Sequence, residues 1–121
     1  MKKLMSTSLI GLILLGVITF NESVAGARAG ERVIHLTAKK FEFTPGEIKA
    51  KKGEVIVLEV TSEDVTHGFN LPDFGVRGDV KPGAVARFRF TPDKTGQFTF
   101  TCDVFCGSGH EEMSGTLTVI E

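Results

Sequence analysis

The sequence predicts an all-β sandwich. After residue 27 the apolar residues recur with period two rather than 3.6. Turn-forming pairs punctuate the chain about every 8 to 12 residues. No stretch between residues 28 and 121 carries a helical repeat. Short alternating runs between turns are what two packed sheets require, and about seven to eight strands are expected.

The strands can be taken in order. Ile34, Leu36 and Ala38 share one face of an early strand, and His35 falls on the opposite, solvated face. Phe41 and Phe43 continue the alternation up to the turn Thr44-Pro45-Gly46. Glu54 to Val60 is richer in Val, Ile and Leu and reads as a more buried strand. His67 ends or follows a strand and is succeeded by Gly68. Arg87-Phe88-Arg89-Phe90 and Gln97-Phe98-Thr99-Phe100-Thr101 alternate ring with charge or hydroxyl, and Gly115 to Ile120 is the last strand. Pro45-Gly46, Lys52-Gly53, Pro72-Asp73, Pro82-Gly83 and Pro92-Asp93 mark turns. Lys49, Lys51 and Lys52 read as a soluble face.

The first 27 residues differ in kind. Lys2 and Lys3 precede a largely apolar run from Leu4 to Phe20, and Ala25-Gly26-Ala27 closes with small residues. That is the order of a secretory signal, with cleavage expected after Ala27. The alternative is an uncleaved anchor through residues 4–20, since the run is slightly shorter than the roughly 20 residues that span a bilayer. Either way the domain at 28–121 is expected outside the cytoplasm, periplasmic or otherwise extracytoplasmic.

Composition excludes several classes. Residues 28–121 hold 12 Lys+Arg and 14 Asp+Glu, a formal charge of −2 with no basic stripe, so nucleic acid is not an expected partner. There is no Trp or Tyr but ten Phe, so the core must rest on Phe, Val, Leu and Ile. No catalytic triad, carboxylate pair or phosphate loop is evident, and no reaction centre is expected in this chain by itself.

The chemistry is concentrated in one loop, Cys102 to Met113. It carries both cysteines of the protein, His110 and Met113, and His67 lies upstream. Thiolate, imidazole and thioether together favour copper, and the thioether argues against a plain structural zinc site. Gly107 and Gly109 give the backbone freedom to curl Cys102, Cys106, His110 and Met113 around a common centre. A disulfide between cysteines four apart would close a very short loop with little gain. A mononuclear copper site needs one Cys, two His and a weak axial Met, which leaves the second Cys over. Two thiolates can instead bridge two copper ions. Phe69 and Phe105, off the period-two pattern, are placed to shield the metal. Glu111 and Glu112 are expected to be exposed.

The pattern Cys-x3-Cys-Gly-x2-His-x2-Met after a distant His resembles the binuclear copper (CuA) centre of cytochrome c oxidase subunit II and nitrous oxide reductase. The stretch Asp64 to Pro72 and on to Lys81-Pro82-Gly83 is similar to the subunit II segment around its first histidine. The resemblance covers roughly Glu54 to Ile120. It implies a cupredoxin-like Greek-key sandwich in which Cys102 and Cys106 bridge both coppers. His67 would bind one copper with Met113 as weak axial ligand, and His110 the other with the carbonyl of Val104. Where the oxidase family commonly has Glu at the position of Val104, whose carboxylate helps hold magnesium, this chain has no carboxylate. It also lacks Trp and Tyr, and has one apolar N-terminal run where subunit II usually has two membrane helices. The resemblance implies single-electron transfer, with a cytochrome or a haem-copper oxidase as partner. Copper delivery or storage, or a subunit of a divergent terminal oxidase, are the alternative functions.

Overall fold

A computed structural model describes residues 30–121, so the expected signal or anchor at 1–27 lies outside the described residues. Nine strands form two sheets. They are β1 (Glu31–Lys39), β2 (Glu42–Thr44), β3 (Glu47–Lys51), β4 (Val55–Ser62), β5 (His67–Leu71), β6 (Val76–Val80), β7 (Ala86–Phe90), β8 (Gly96–Thr101) and β9 (Ser114–Ile120). One sheet runs β2-β1-β4-β7 and the other β3-β9-β8-β5-β6. The pairs β1/β4 and β3/β9 are parallel and the remaining pairs antiparallel. Two three-residue 3₁₀ turns, Pro72–Phe74 and His110–Glu112, are the helical elements among the described residues.

The strand count exceeds the expected seven to eight because two short edge strands carry weak sequence signals. β3 has only Ile48 and Ala50 facing inward between exposed Glu47, Lys49 and Lys51. β6 has only Val76 and Val80 inward, with Gly78 between them. Phe41 is not in a strand: β1 ends at Lys39, and Lys40 and Phe41 form the turn into β2. His67 starts β5 rather than ending a strand, and Gly68 continues it. His35 is exposed on β1, 3.3 Å from Glu59.

The core lies between the sheets. Leu36, Ala38, Ile56, Leu58 and Val60 face Phe69, Leu71, Phe100, Leu117 and Val119 across it. A knot of rings occupies the end near the Cys102–Met113 loop. Phe69 sits 5.9 Å from Phe43, 5.3 Å from Phe88 and 5.3 Å from Phe100. Each fully buried ring of this kind contributes about 1.5–3 kcal/mol by leaving water, with a further contribution from edge and offset contacts. Phe69 is two residues after His67, and Phe100 two before Cys102. Because strand side chains alternate, burying these rings fixes the direction in which His67 and Cys102 point.

Candidate metal centre

Three hydrogen-bond registers assemble the centre. β8 and β9 pair from Gly96↔Val119 to Thr101↔Ser114. The next rung is Cys102 opposite Met113, closed by the Cys102 N–H donating to the Met113 carbonyl at 3.1 Å. The loop is thus the tip of a hairpin whose last rung carries two donors. β5 meets β8 at Asn70↔Thr101, and continuing that register sets Phe69 opposite Cys102, Gly68 opposite Asp103 and His67 diagonal to Cys102 on the same face. Inside the loop, the Met113 N–H bonds the His110 carbonyl and the His110 N–H bonds the Gly107 carbonyl, both at 3.2 Å. This curls the chain back so that His110 and Met113 return to Cys106.

The donor atoms lie in a connected row. His67 Nδ1 is 3.9 Å from Cys102 Sγ. Cys102 Sγ is 3.8 Å from Cys106 Sγ and 3.2 Å from the Val104 carbonyl oxygen. Cys106 Sγ is 3.6 Å from His110 Nδ1 and 3.8 Å from Met113 Sδ. All six residues singled out in the sequence, His67, Cys102, Val104, Cys106, His110 and Met113, therefore meet at one end of the sandwich. His67, Cys102 and Cys106 are all buried, with ligand atoms within 4.8 Å of one another. The two cysteines are free, and a sulfur separation of 3.8 Å is far beyond the roughly 2.05 Å of a disulfide.

Burial pushes the Cys106 thiol up to about 11, helped by its contact with Cys102. At neutral pH it holds its proton until a metal displaces it. His67 is fully buried and donates from Nε2 to Asp64 Oδ1 at 2.6 Å, which leaves Nδ1 aimed at Cys102. Asp64 also accepts the Lys40 N–H at 2.7 Å and the Val65 N–H at 2.6 Å. The Lys40 amide first, with the His67 and Val65 bonds, holds its carboxyl down at about 2. A carboxylate on the far nitrogen fixes both tautomer and ring orientation of a metal-binding histidine.

A second support acts on the other side. Arg77 on β6 grips Asp103 through Nε at 2.6 Å and Nη2 at 3.0 Å, and Asp79 at 3.0 Å. This ties the segment between Cys102 and Val104 to the sheet edge. Gly68 lets that segment lie on the β5 backbone. A Cβ there would overlap the Asp103 carboxylate and stand 3.0 Å from the Val104 nitrogen. The Gly68 N–H in turn points at Cys102 Sγ, 3.4 Å away. Sequence reading gave no role to Asp64, Arg77 or Asp103. The available signal was an acidic residue three before His67 and another directly after Cys102.

Two expectations change. Phe105 does not cover the centre: it is 79% exposed, its ring 5.8 Å from that of His110, because the buried cysteines on either side take the inward face of the loop. Phe69, the other ring expected to shield the metal, is fully buried in the aromatic core, in one cluster with Cys102, Cys106 and Met113. Gly107 does adopt a conformation that side chains rarely take, φ +143°, but Gly109 has an ordinary φ of −98° and is small for a different reason.

Comparison with known proteins agrees with this geometry. The cupredoxin-like domain family matches residues 11–119. Cytochrome c oxidase subunit 2 of Thermus thermophilus is 32% identical over 100 residues, covering 83% of this chain and 74% of that protein. The same subunit from a second strain of that species is equally similar, and the chain spans 60% of it. Nitrous-oxide reductase of Ralstonia nicotianae is 35% identical over 97 residues, 76% of this chain and 15% of the reductase. The periplasmic domain of subunit II of cytochrome oxidase from Bradyrhizobium japonicum superposes with a TM-score of 0.68 at 29% identity, covering 74% of this chain and 83% of that one.

Proposed function

The chain belongs to the cupredoxin-like domain family and is homologous to the copper domain of cytochrome c oxidase subunit II, and from that premise we propose that it carries single electrons through a binuclear copper centre. The donor chemistry fits copper: two thiols, two imidazoles, a thioether and a carbonyl oxygen, with no hard carboxylate among them. The observation that carries the binuclear reading is the order of the row. The sulfurs stand side by side, with His67 at the Cys102 end and His110 at the Cys106 end. A single tetrahedral ion wants four donors converging on one point, whereas His110 falls outside the compact His67, Cys102, Cys106 group.

Cys102 and Cys106 would hold the copper as shared thiolate ligands, His67 and His110 as imidazole ligands, and Met113 and the Val104 carbonyl as weak donors. A bound pair would supply one delocalised, reversibly held electron. The protein's own residues keep the accompanying structural change small. The β8–β9 hairpin rung fixes Cys102 against Met113, Asp64 fixes the His67 ring, and Arg77 fixes the Cys102–Val104 segment. The aromatic core below excludes water from the sulfurs. Ligands that cannot relax keep reorganisation small, and the shell around the sulfurs sets the potential.

The setting belongs to the same proposal. Residues 1–27 export the domain or, uncut, anchor it through residues 4–20. It then works on the periplasmic side, with a cytochrome or a haem-copper oxidase as redox partner across a small interface beside partly buried His110. Among the described residues no helix is long and apolar enough to cross a membrane.

The test is to load the chain with Cu(II) and count metal by native mass spectrometry while recording the spin-resonance spectrum. Two coppers with a mixed-valence signal are expected. One readily exchanged, spectroscopically silent Cu(I) would replace this reading with copper delivery or storage. Co-purification with a haem-bearing membrane subunit would make the chain part of a terminal oxidase.

A further inference from the structure

The turn between β1 and β2 touches both ends of the donor row. At one end, the Lys40 N–H donates to Asp64 Oδ2 at 2.7 Å, and the other oxygen of that carboxylate holds His67 Nε2. At the other end, the next residue, Phe41, lies flat on the ligand loop. A Cβ at Gly109 would stand 2.5 Å from Phe41 Cδ2 and 2.6 Å from Cγ, and a Cβ at Gly107 would stand 2.8 Å from Cε1 and Cζ. Real Cβ atoms do not approach so closely. Both glycines are therefore small on the face the ring covers. The ring packs on the other side against the buried core.

The geometry points to Phe41 as a positioning residue. It presses the Cys106–His110 segment into its closed curl and keeps water from its outer side, while the neighbouring Lys40 amide sets His67 through Asp64. The two histidines, one at the start of β5 and one in the ligand loop, are thus registered against a single turn. The role presumes a copper centre at these residues but not the number of ions. Phe105, nearer in sequence to the ligands, does not compete for it, because its ring points to solvent. A ring held only by core packing would leave the loop's metal chemistry untouched. A ring that clamps the loop governs how fast metal escapes.

The experiment measures copper release to a chelator from the loaded chain, together with the spin-resonance spectrum, at a temperature where circular dichroism shows every variant folded. Phe41→Ala should release copper roughly 10-fold faster or more, the range seen when outer supports of metal ligands are removed, with altered copper–histidine couplings. Phe41→Leu should restore most of the difference. Release from Phe41→Ala within twofold of the parent, with the same spectrum, would overturn the role. A size swap gives the second measurement and decides the matter if Phe41→Ala does not fold. Gly109→Ala should speed release, and Phe41→Leu combined with Gly109→Ala should lie closer to the parent than Gly109→Ala alone. Additive effects in that pair would overturn the clamp. A parent that binds one ion would remove the binuclear reading, yet the release rates would still test Phe41.

Discussion

Gly68→Ala isolates the contact between the ligand loop and the β5 backbone. Gly68 has no unusual φ, so an alanine costs nothing in backbone strain, and the effect is steric. The new methyl would overlap Asp103 Oδ1 and sit 3.0 Å from both Val104 Cγ2 and the Val104 amide nitrogen. The carboxylate can move only by leaving Arg77, which grips it twice. That pair is partly exposed and worth up to about 1 kcal/mol. Val104 must also retreat by about 0.4 Å to reach the 3.4 Å of ordinary contact, and forced overpacking of this kind costs about 1–3 kcal/mol. A total near 2 kcal/mol lowers the melting temperature of a domain this size by roughly 8–16 °C. Thermal unfolding of the metal-free chain measures it, and the copper spectrum reports whether Cys102 and the Val104 carbonyl moved. Adding Asp103→Ala should recover part of the loss by removing the overlapped group. A melting point within about 2 °C of the parent, with an unchanged copper spectrum, would show that the loop does not rest on this strand.

Other outcomes follow from the same contacts. Cys102→Ser or Cys106→Ser should abolish the two-copper spectrum and leave at most one ion by native mass spectrometry; a surviving mixed-valence pair in either variant would disprove bridging. Met113→Leu nearly conserves volume at a position only 1% exposed, so the fold and both coppers should persist. Its reduction potential should rise with loss of the thioether, and protein-film voltammetry would detect an unchanged value if Met113 does not ligate. Asp64 has a folded carboxyl at about 2 against an ordinary 3.8, so the charged form stabilises the fold above pH 4 and that contribution disappears as pH falls toward 2. Asp64→Asn should therefore flatten the acid limb of the urea-midpoint curve between pH 4 and 2, and parallel curves would contradict the assigned bonds.

Much of this was legible from the chain alone. Period-two alternation in Arg87–Phe90, Gln97–Thr101 and Thr116–Val119 yields strands that the structure contains. A repeat of two needs only local sequence to be seen. The donor spacing was equally local, since five of the six candidate donors lie within twelve residues. The short edges β3 and β6 were missed because two inward residues each give too little pattern.

The amino-acid sequence by itself determined the chemical kind of the site: soft donors, two of them thiols, on one hairpin tip of a β protein. Tertiary structure alone decided how that site is held. Asp64 meets Lys40 from 24 residues away, and Arg77 meets Asp103 from 26. Phe41 reaches the loop from the opposite end of the domain's sequence. No periodicity or motif encodes such meetings, because they arise only when two sheets pack and bring unrelated loops to one end. The same packing sends Phe105 outward and sets the small size of Gly68 and Gly109 by the neighbours each must admit.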